Sequence, residues 1–252
     1  MALIKTSGIV LRTTKYGETS LIVTLLTRDF GKVSAIANGV RTKKSRLLAG
    51  LQLFAYSEIV MYKAKQKNGL YHLDEMNVLE SFSGVRGALD KMAYATYFAE
   101  VANGALSEDS PDDEVLSLVL NTLYMVDRGL SDYEKIKTVF EWRLSAVLGY
   151  APSVKICSGC QSKDVFGLAL YDGTVFCEAC AKDKQGSVAR LSEGMCRIIE
   201  YITLAEGKKI FSFDANENTI KYLSQVSEAY ISAQLDREFK TLDYLKKVRA
   251  LG

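Results

Sequence analysis

The chain has 252 residues, 48% hydrophobic and 25% charged, enough to bury a substantial core in two or three domains. It contains no apolar run of the roughly eighteen residues that a transmembrane helix requires. The net charge of +2 says little, but residues 1–67 hold twelve Lys or Arg against Glu18, Asp29 and Glu58, a local +9 that leaves −7 for the rest. A basic N-terminal third on a mildly acidic body points to a polyanion-binding face; the alternative is a solvated surface. Residues 1–8 lack the basic and apolar regions of a secretion signal, and five cysteines, an odd number, suit a reducing cytoplasm.

Taken in chain order, residues 1–80 read as all-β. Short β-favouring runs fall at 8–12, 21–26, 33–37, 58–62 and 70–73. Turn signals separate them at Tyr16-Gly17-Glu18, Asp29-Phe30-Gly31, Asn38-Gly39 and Asn68-Gly69. Five short strands in this length predict a small closed barrel of the oligonucleotide-binding (OB) type, which removes exposed edges. Residues 40–46 break the rhythm and carry four cations without an acid.

From about residue 82 the period becomes helical. Ser110 is a candidate N-cap before Pro111, with Leu116, Val119, Leu120, Leu123 and Val126 on one face as far as Gly129. Ser131 with Glu134 has the form of a capping box, and that helix runs to Gly149. Ser192 opens another helix that ends near Gly207, and residues 216–250 look helical with Ile220, Leu223, Val226 and Tyr230 inside. The fold class is therefore α+β and multidomain. An OB-type domain at 1–80 precedes a helical domain at 81–252, which carries an insert at about 153–182.

That insert holds the sharpest chemical signal. Cys157-Ser-Gly-Cys160 and Cys177-Glu-Ala-Cys180 form two CxxC pairs separated by sixteen residues. Two residues between paired cysteines let both thiolates face one ion, and a linker of this length folds back to deliver the second pair. The linker reads as a hairpin, 166–171 and 174–176, turning at Asp172-Gly173. The spacing predicts one structural Zn2+ per chain, held by Cys157, Cys160, Cys177 and Cys180. Four thiolates leave no coordination position for water or substrate. Cys196, the odd cysteine, reads as a buried small hydrophobe.

Enzymatic readings lack their defining elements. Gly31-Lys32 and Gly207-Lys208 are not followed by Ser or Thr as a phosphate loop requires, and GxGxxG is absent. His72 is the single histidine and reads as a strand residue, without the glutamate of a nucleobase deaminase and without a Gly-x-Ser-x-Gly elbow to serve. The chain is accordingly read as no enzyme. Nucleic-acid binding suits the residues better: cations track phosphates while rings stack on bases. The candidate contacts are Arg12, Lys15, Lys32, Arg41, Lys43, Lys44, Arg46, Lys63, Lys65 and Lys67. Tyr16, Phe30, Tyr56, Tyr62 and Tyr71 are candidate rings, only one or two of which strand alternation leaves free to stack.

An ordered series of fragments resembles the bacterial RecO family of DNA repair proteins. Gly8-Ile-Val-Leu11, Tyr16-Gly-Glu-Thr-Ser20, Gly39-Val-Arg41, Lys44-Ser-Arg46 and Leu51-Gln-Leu-Phe54 carry it in the N-terminal third. Phe140-Glu141, Arg143-Leu144 and Gly149-Tyr-Ala-Pro152 carry it into the cysteine segment, and Phe239-Lys240 with residues 242–245 near the end. The resemblance implies a recombination mediator of the RecFOR pathway. Such a protein binds single- and double-stranded DNA, anneals complementary strands without ATP, joins RecR, and helps load RecA on strands coated by single-strand-binding protein (SSB). It would work in the cytoplasm at the nucleoid, with no membrane partner. The competing reading is a zinc-containing adaptor that binds RNA or the transcription apparatus and does not anneal.

Overall fold

The computed structural model describes residues 3–41, 45–63, 70–182 and 186–251. The candidate contacts Lys43, Lys44, Lys65 and Lys67, and the expected turn at 68–69, lie outside them. Five strands close a barrel in the order β1–β2–β3–β5–β4: β1 (Leu3–Tyr16), β2 (Ser20–Thr27), β3 (Gly31–Ala37), β4 (Tyr56–Lys63) and β5 (Tyr71–Glu80). Neighbours pair antiparallel except where β3 meets β5, with Ala35 opposite Tyr71 and Ile36 opposite His72. This is the OB-type barrel that the turn spacing predicts.

Strand alternation sends Val10, Val23, Leu25, Ala35, Met61 and Tyr71 into one interior cluster. Each large aliphatic buried there contributes roughly 1.5–3 kcal/mol relative to exposure. β1 outruns its predicted core of 8–12 because it borders two strands at once, and a bulge between Val10 and Arg12 bends it from β4 onto β2. Gly31, at φ +62°, opens β3 directly under the chain at Ser110. A Cβ there would stand 2.0 Å from the Ser110 carbonyl oxygen, so only glycine permits the approach.

The remaining elements are α1 (Ser83–Arg86), α2 (Leu89–Ala105), α3 (Asp113–Arg128), α4 (Tyr133–Val147), β6 (Gly167–Ala169), β7 (Thr174–Phe176), α5 (Glu178–Ala181), β8 (Val188–Arg190), α6 (Glu193–Leu204), α7 (Glu217–Gln234) and α8 (Lys240–Arg249). A 3-10 turn at Gly207–Phe211 follows α6. Two helix starts fall beside the expected residues. Asp112, not Ser110, accepts the N–H groups of Glu114 and Val115, and Asp132, not Ser131, accepts that of Lys135. In each case the carboxylate stands nearer the first helical turn, whose positive dipole end favours it. Ser192 does cap α6, accepting from Met195. Residues 216–250 are two helices, broken where Asp236 takes φ +46°. No helix among the described residues is long and apolar enough to cross a membrane.

Packing divides the chain into two compact units, Met1–Asp127 with Thr241–Gly252, and Arg128–Lys240. In the first, the barrel is joined by α2, α3 and α8. Lys32 donates to the Asn103 carbonyl at 2.8 Å, and both the N–H and the hydroxyl of Thr241 donate to the Glu100 carboxylate. In the second, α4 packs on α7 and α6, with Trp142 against Tyr230 at 5.1 Å between ring centres. An ionic cluster shares this interior. Lys137 Nζ lies 3.0 Å from Glu141 and 3.2 Å from Glu228, and donates to the Ser224 carbonyl and hydroxyl. Ser227 and Ser224 in turn donate to Glu141 and Glu134. Lys137 and Glu141 are fully buried.

Candidate metal centre and nucleic-acid interface

The four cysteines converge as their spacing requires, with sulfur atoms all within 4.8 Å of one another. The first pair sits on a tight turn: the Gly159 N–H points at Cys157 Sγ, the Gln161 N–H bonds the Cys157 carbonyl, and Gln161 takes φ +63°. Glycine at 159 suits a close approach, since a Cβ there would stand 3.0 Å from Cys180 Sγ and that side chain would have to give by a few tenths of an ångström. The second pair lies at the start of α5, where Cys177 is the N-cap. The hairpin between the pairs turns through four residues, 170–173, with Gly173 at φ +64° and its N–H on the Ala169 carbonyl. The turn is thus longer than the two-residue Asp172-Gly173 form, because the β6–β7 ladder stops at Ala169 and Thr174. A third strand, β8, pairs with β6 on its other side. Gln234 of α7 donates to the Leu170 and Tyr171 carbonyls, and Tyr230 to that of Tyr150, anchoring the ribbon to the helices.

The chemistry of this donor set fits a tetrahedral thiophilic ion. Metal–sulfur bonds of about 2.3 Å give sulfur–sulfur edges of about 3.8 Å, and Cys160 and Cys177 stand 3.6 Å apart. That is far beyond the roughly 2.05 Å of a disulfide. Backbone N–H groups of Cys160 and then Cys177 pull the Cys157 thiol down to about 6, while the neighbouring thiols, Cys177 first, push Cys180 up to about 12. One sulfur is thus prepared as a thiolate, while Cys160 and Cys180, raised by the thiols around them, resist ionisation unless a cation enters among them. Cys196 lies apart in α6, buried, its thiol pushed up to about 11 by desolvation, an inert environment.

The barrel cations separate into two groups. Arg12, Lys15, Arg41, Arg46 and Lys63 are exposed, whereas Lys32 is turned onto the Asn103 carbonyl. Arg41 fastens two loops: its N–H bonds the Thr19 carbonyl and its guanidinium the Glu18 carbonyl at 2.7 Å. Among the candidate rings, Tyr71 is interior and Phe30 packs against that interior. Tyr56 donates to Ser7, and Tyr16 is exposed at the end of β1. Tyr62 is stacked on His72, ring centres 5.2 Å apart and planes 8° from parallel. Spacing alone carried no signal for that pair, because the two residues meet only through the β4–β5 register.

A closed barrel of the OB type, followed by helices and a four-cysteine ribbon able to hold a metal ion, defines the architectural class. Residues 1–82 match the family model "Recombination protein O N terminal", and residues 86–243 match "Recombination protein O C terminal". Similar curated proteins are each called DNA repair protein RecO. That of Acetivibrio thermocellus is 34% identical over 98% of this chain and 97% of its own length. The Alkaliphilus metalliredigens protein is 30% identical over 98% and 100%, and the Bacillus subtilis protein 29% over 99% and 96%. The chain belongs to the RecO family of DNA repair proteins.

Proposed function

We propose that this protein binds single- and double-stranded DNA through its barrel, residues 1–80, and anneals complementary strands without ATP and without covalent chemistry. With RecR it then helps place RecA on strands coated by SSB. The observation that carries this reading is the exposure of Arg12, Lys15, Arg41, Arg46 and Lys63 on a barrel of the oligonucleotide-binding type. Annealing needs phosphate repulsion between strands to be shielded while base edges stay free to pair. Exposed cations on the barrel and its loops meet the first need without obstructing the second. The four cysteines would hold one Zn2+ as a structural tie for the ribbon, with no open position for chemistry.

The test is annealing of labelled complementary strands, bare and SSB-coated, with and without ATP. If about six phosphates are neutralised on a single strand, log affinity falls against log salt with a slope of roughly −4. Raising salt from about 50 to 200 mM then costs about 300-fold in affinity. Replacing Arg12, Lys15 and Arg46 with Ala is expected to weaken binding similarly across sequences and reduce the slope by about 2. DNA binding with no annealing would sink the mediator reading in favour of an adaptor. Annealing of bare strands that fails on SSB-coated ones would reject the partner assignment alone.

A further inference from the structure

The outer wall of the barrel has two different halves. Toward the helices of the first unit it is covered: Ile9 and Leu26, paired across β1 and β2, are fully buried although their neighbours Val10 and Leu25 fill the interior. On β3, Lys32 and Ser34 are likewise engaged, by Asn103 and Glu108. The other half carries a row that the register runs from strand to strand: Leu3 opposite Tyr62, Tyr62 opposite His72, His72 opposite Ile36, and Ile36 opposite Ile22. Met61, Tyr71, Leu73, Ala35 and Val23 beside them belong to the interior cluster, so alternation turns this row outward.

Resting on the reading of the barrel as a DNA-binding domain, we propose that Tyr62 and His72 form the base-stacking platform that selects single strands. Two nearly parallel rings, half-buried and held as a cross-strand pair, already form the first two layers of a stack. A base adds a third layer at little entropic cost, because neither ring must be ordered on binding. The Asn38 side-chain amide lies 3.3 Å from His72 Nδ1 and holds that ring, and Ser20 Oγ donates to Asn38. The same contacts tie the platform to the β1–β2 turn, where Arg41 is bound to the carbonyl of Glu18. Lys63, next to Tyr62 in sequence, lies over the Tyr71 ring at 5.2 Å. Cations therefore flank the rings where the phosphate chain would pass, while the exposed Asp74 and Glu75 further along β5 mark the end of the track. Bases in a duplex are already stacked on one another and have no face to offer, so the platform acts only on single strands. That charge and ring arrangement favours an unpaired polynucleotide over a protein strand, which would use backbone edges that barrel closure has removed.

The experiment compares Tyr62→Leu, Tyr62→Phe and His72→Ala with the wild-type chain, using fluorescence anisotropy on one labelled oligonucleotide, single-stranded and as a duplex. Tyr62→Leu and His72→Ala are expected to weaken single-strand binding by about tenfold or more, within the range for removing one stacking ring. Duplex affinity and the salt slope should stay as in wild type, and Tyr62→Phe should bind like wild type because it keeps the ring. A 2-aminopurine base in the single strand should be quenched by wild type and Tyr62→Phe and less so by Tyr62→Leu. Tyr62→Leu also serves as the folding control, since it keeps an apolar side chain on the wall and thermal melting reports the barrel's integrity. Equal single-strand affinity and quenching in folded Tyr62→Leu would overturn the platform while leaving barrel binding intact. Wild-type protein that binds no DNA at all would overturn the functional reading and the platform together.

Discussion

Replacing Lys137 with Met tests how the helical core of the second unit is held together. The substitution keeps length and removes the charge from a cluster in which Lys137 and Glu141 are fully buried. Breaking one partner out of a buried pair costs about 3–5 kcal/mol, because the remaining charge is left without compensation. Two features place the cost at the low end. Ser227 still donates to Glu141 at 2.6 Å, and the Glu228 side chain keeps 16% of its surface in water. The expected loss is therefore about 3 kcal/mol, roughly a 150-fold change in the unfolding equilibrium. A domain's total stability is about 5–15 kcal/mol, so the effect is large. Urea titration read by fluorescence measures it directly: Trp142 is the single tryptophan and lies in the same interior. Adding Glu141→Gln should recover part of the loss, since the amide oxygen can still accept from Ser227 and the fully buried carboxylate is gone, which leaves only the partly hydrated Glu228 without the Lys137 charge. A loss below about 1 kcal/mol for Lys137→Met, or no recovery in the double variant, would refute the account.

The remaining predictions concern the ribbon. Metal analysis should find one zinc per chain. Structural zinc in small peptides binds with about 10–16 kcal/mol, so chelation should raise hydrogen exchange across residues 157–180 while the barrel strands stay protected; unchanged exchange at 157–180 would remove the metal's structural role. Burial pushes the Tyr230 hydroxyl up to about 12, so the native state keeps a proton that the unfolded chain sheds near its ordinary pKa of about 10. Stability should then fall as pH rises from about 10 to 12, and Tyr230→Phe, although weakened by losing its bond to the Tyr150 carbonyl, should show a shallower fall. Parallel curves for the two proteins would contradict that linkage.

The barrel and the cysteine cluster were legible because both rest on local chemistry. Turn residues punctuate strands of limited length, and CxxC spacing fixes where two thiolates can reach. The helix starts at Asp112 and Asp132 were missed by one or two residues because serine and aspartate compete for the same cap, and sequence does not say which lies nearer the dipole. The Lys137 cluster was illegible for a different reason. A lysine beside Ile136 reads as a solvent-facing residue until α7 supplies Ser224, Ser227 and Glu228 from almost ninety residues away. Likewise β8 is only three residues long and has no meaning until β6 offers it an edge. The Tyr62–His72 stack depends on a register that passes two bulges in the β4–β5 ladder, and no single-strand pattern encodes it.

The return of α8 to the first unit imposes an order on assembly. During synthesis the barrel, α2 and α3 are made first, yet Thr241, whose backbone and hydroxyl satisfy Glu100, is translated only after the whole of residues 128–240. Until then the Glu100 carboxylate on α2 must rely on water, and the α2 surface that α8 will meet stays uncovered. Docking α8 also closes a loop around the intervening chain, at an entropic cost that grows only slowly with loop length. The late helix therefore acts as a completion mark: the first unit reaches its final form only on a chain whose four-cysteine ribbon has already been made.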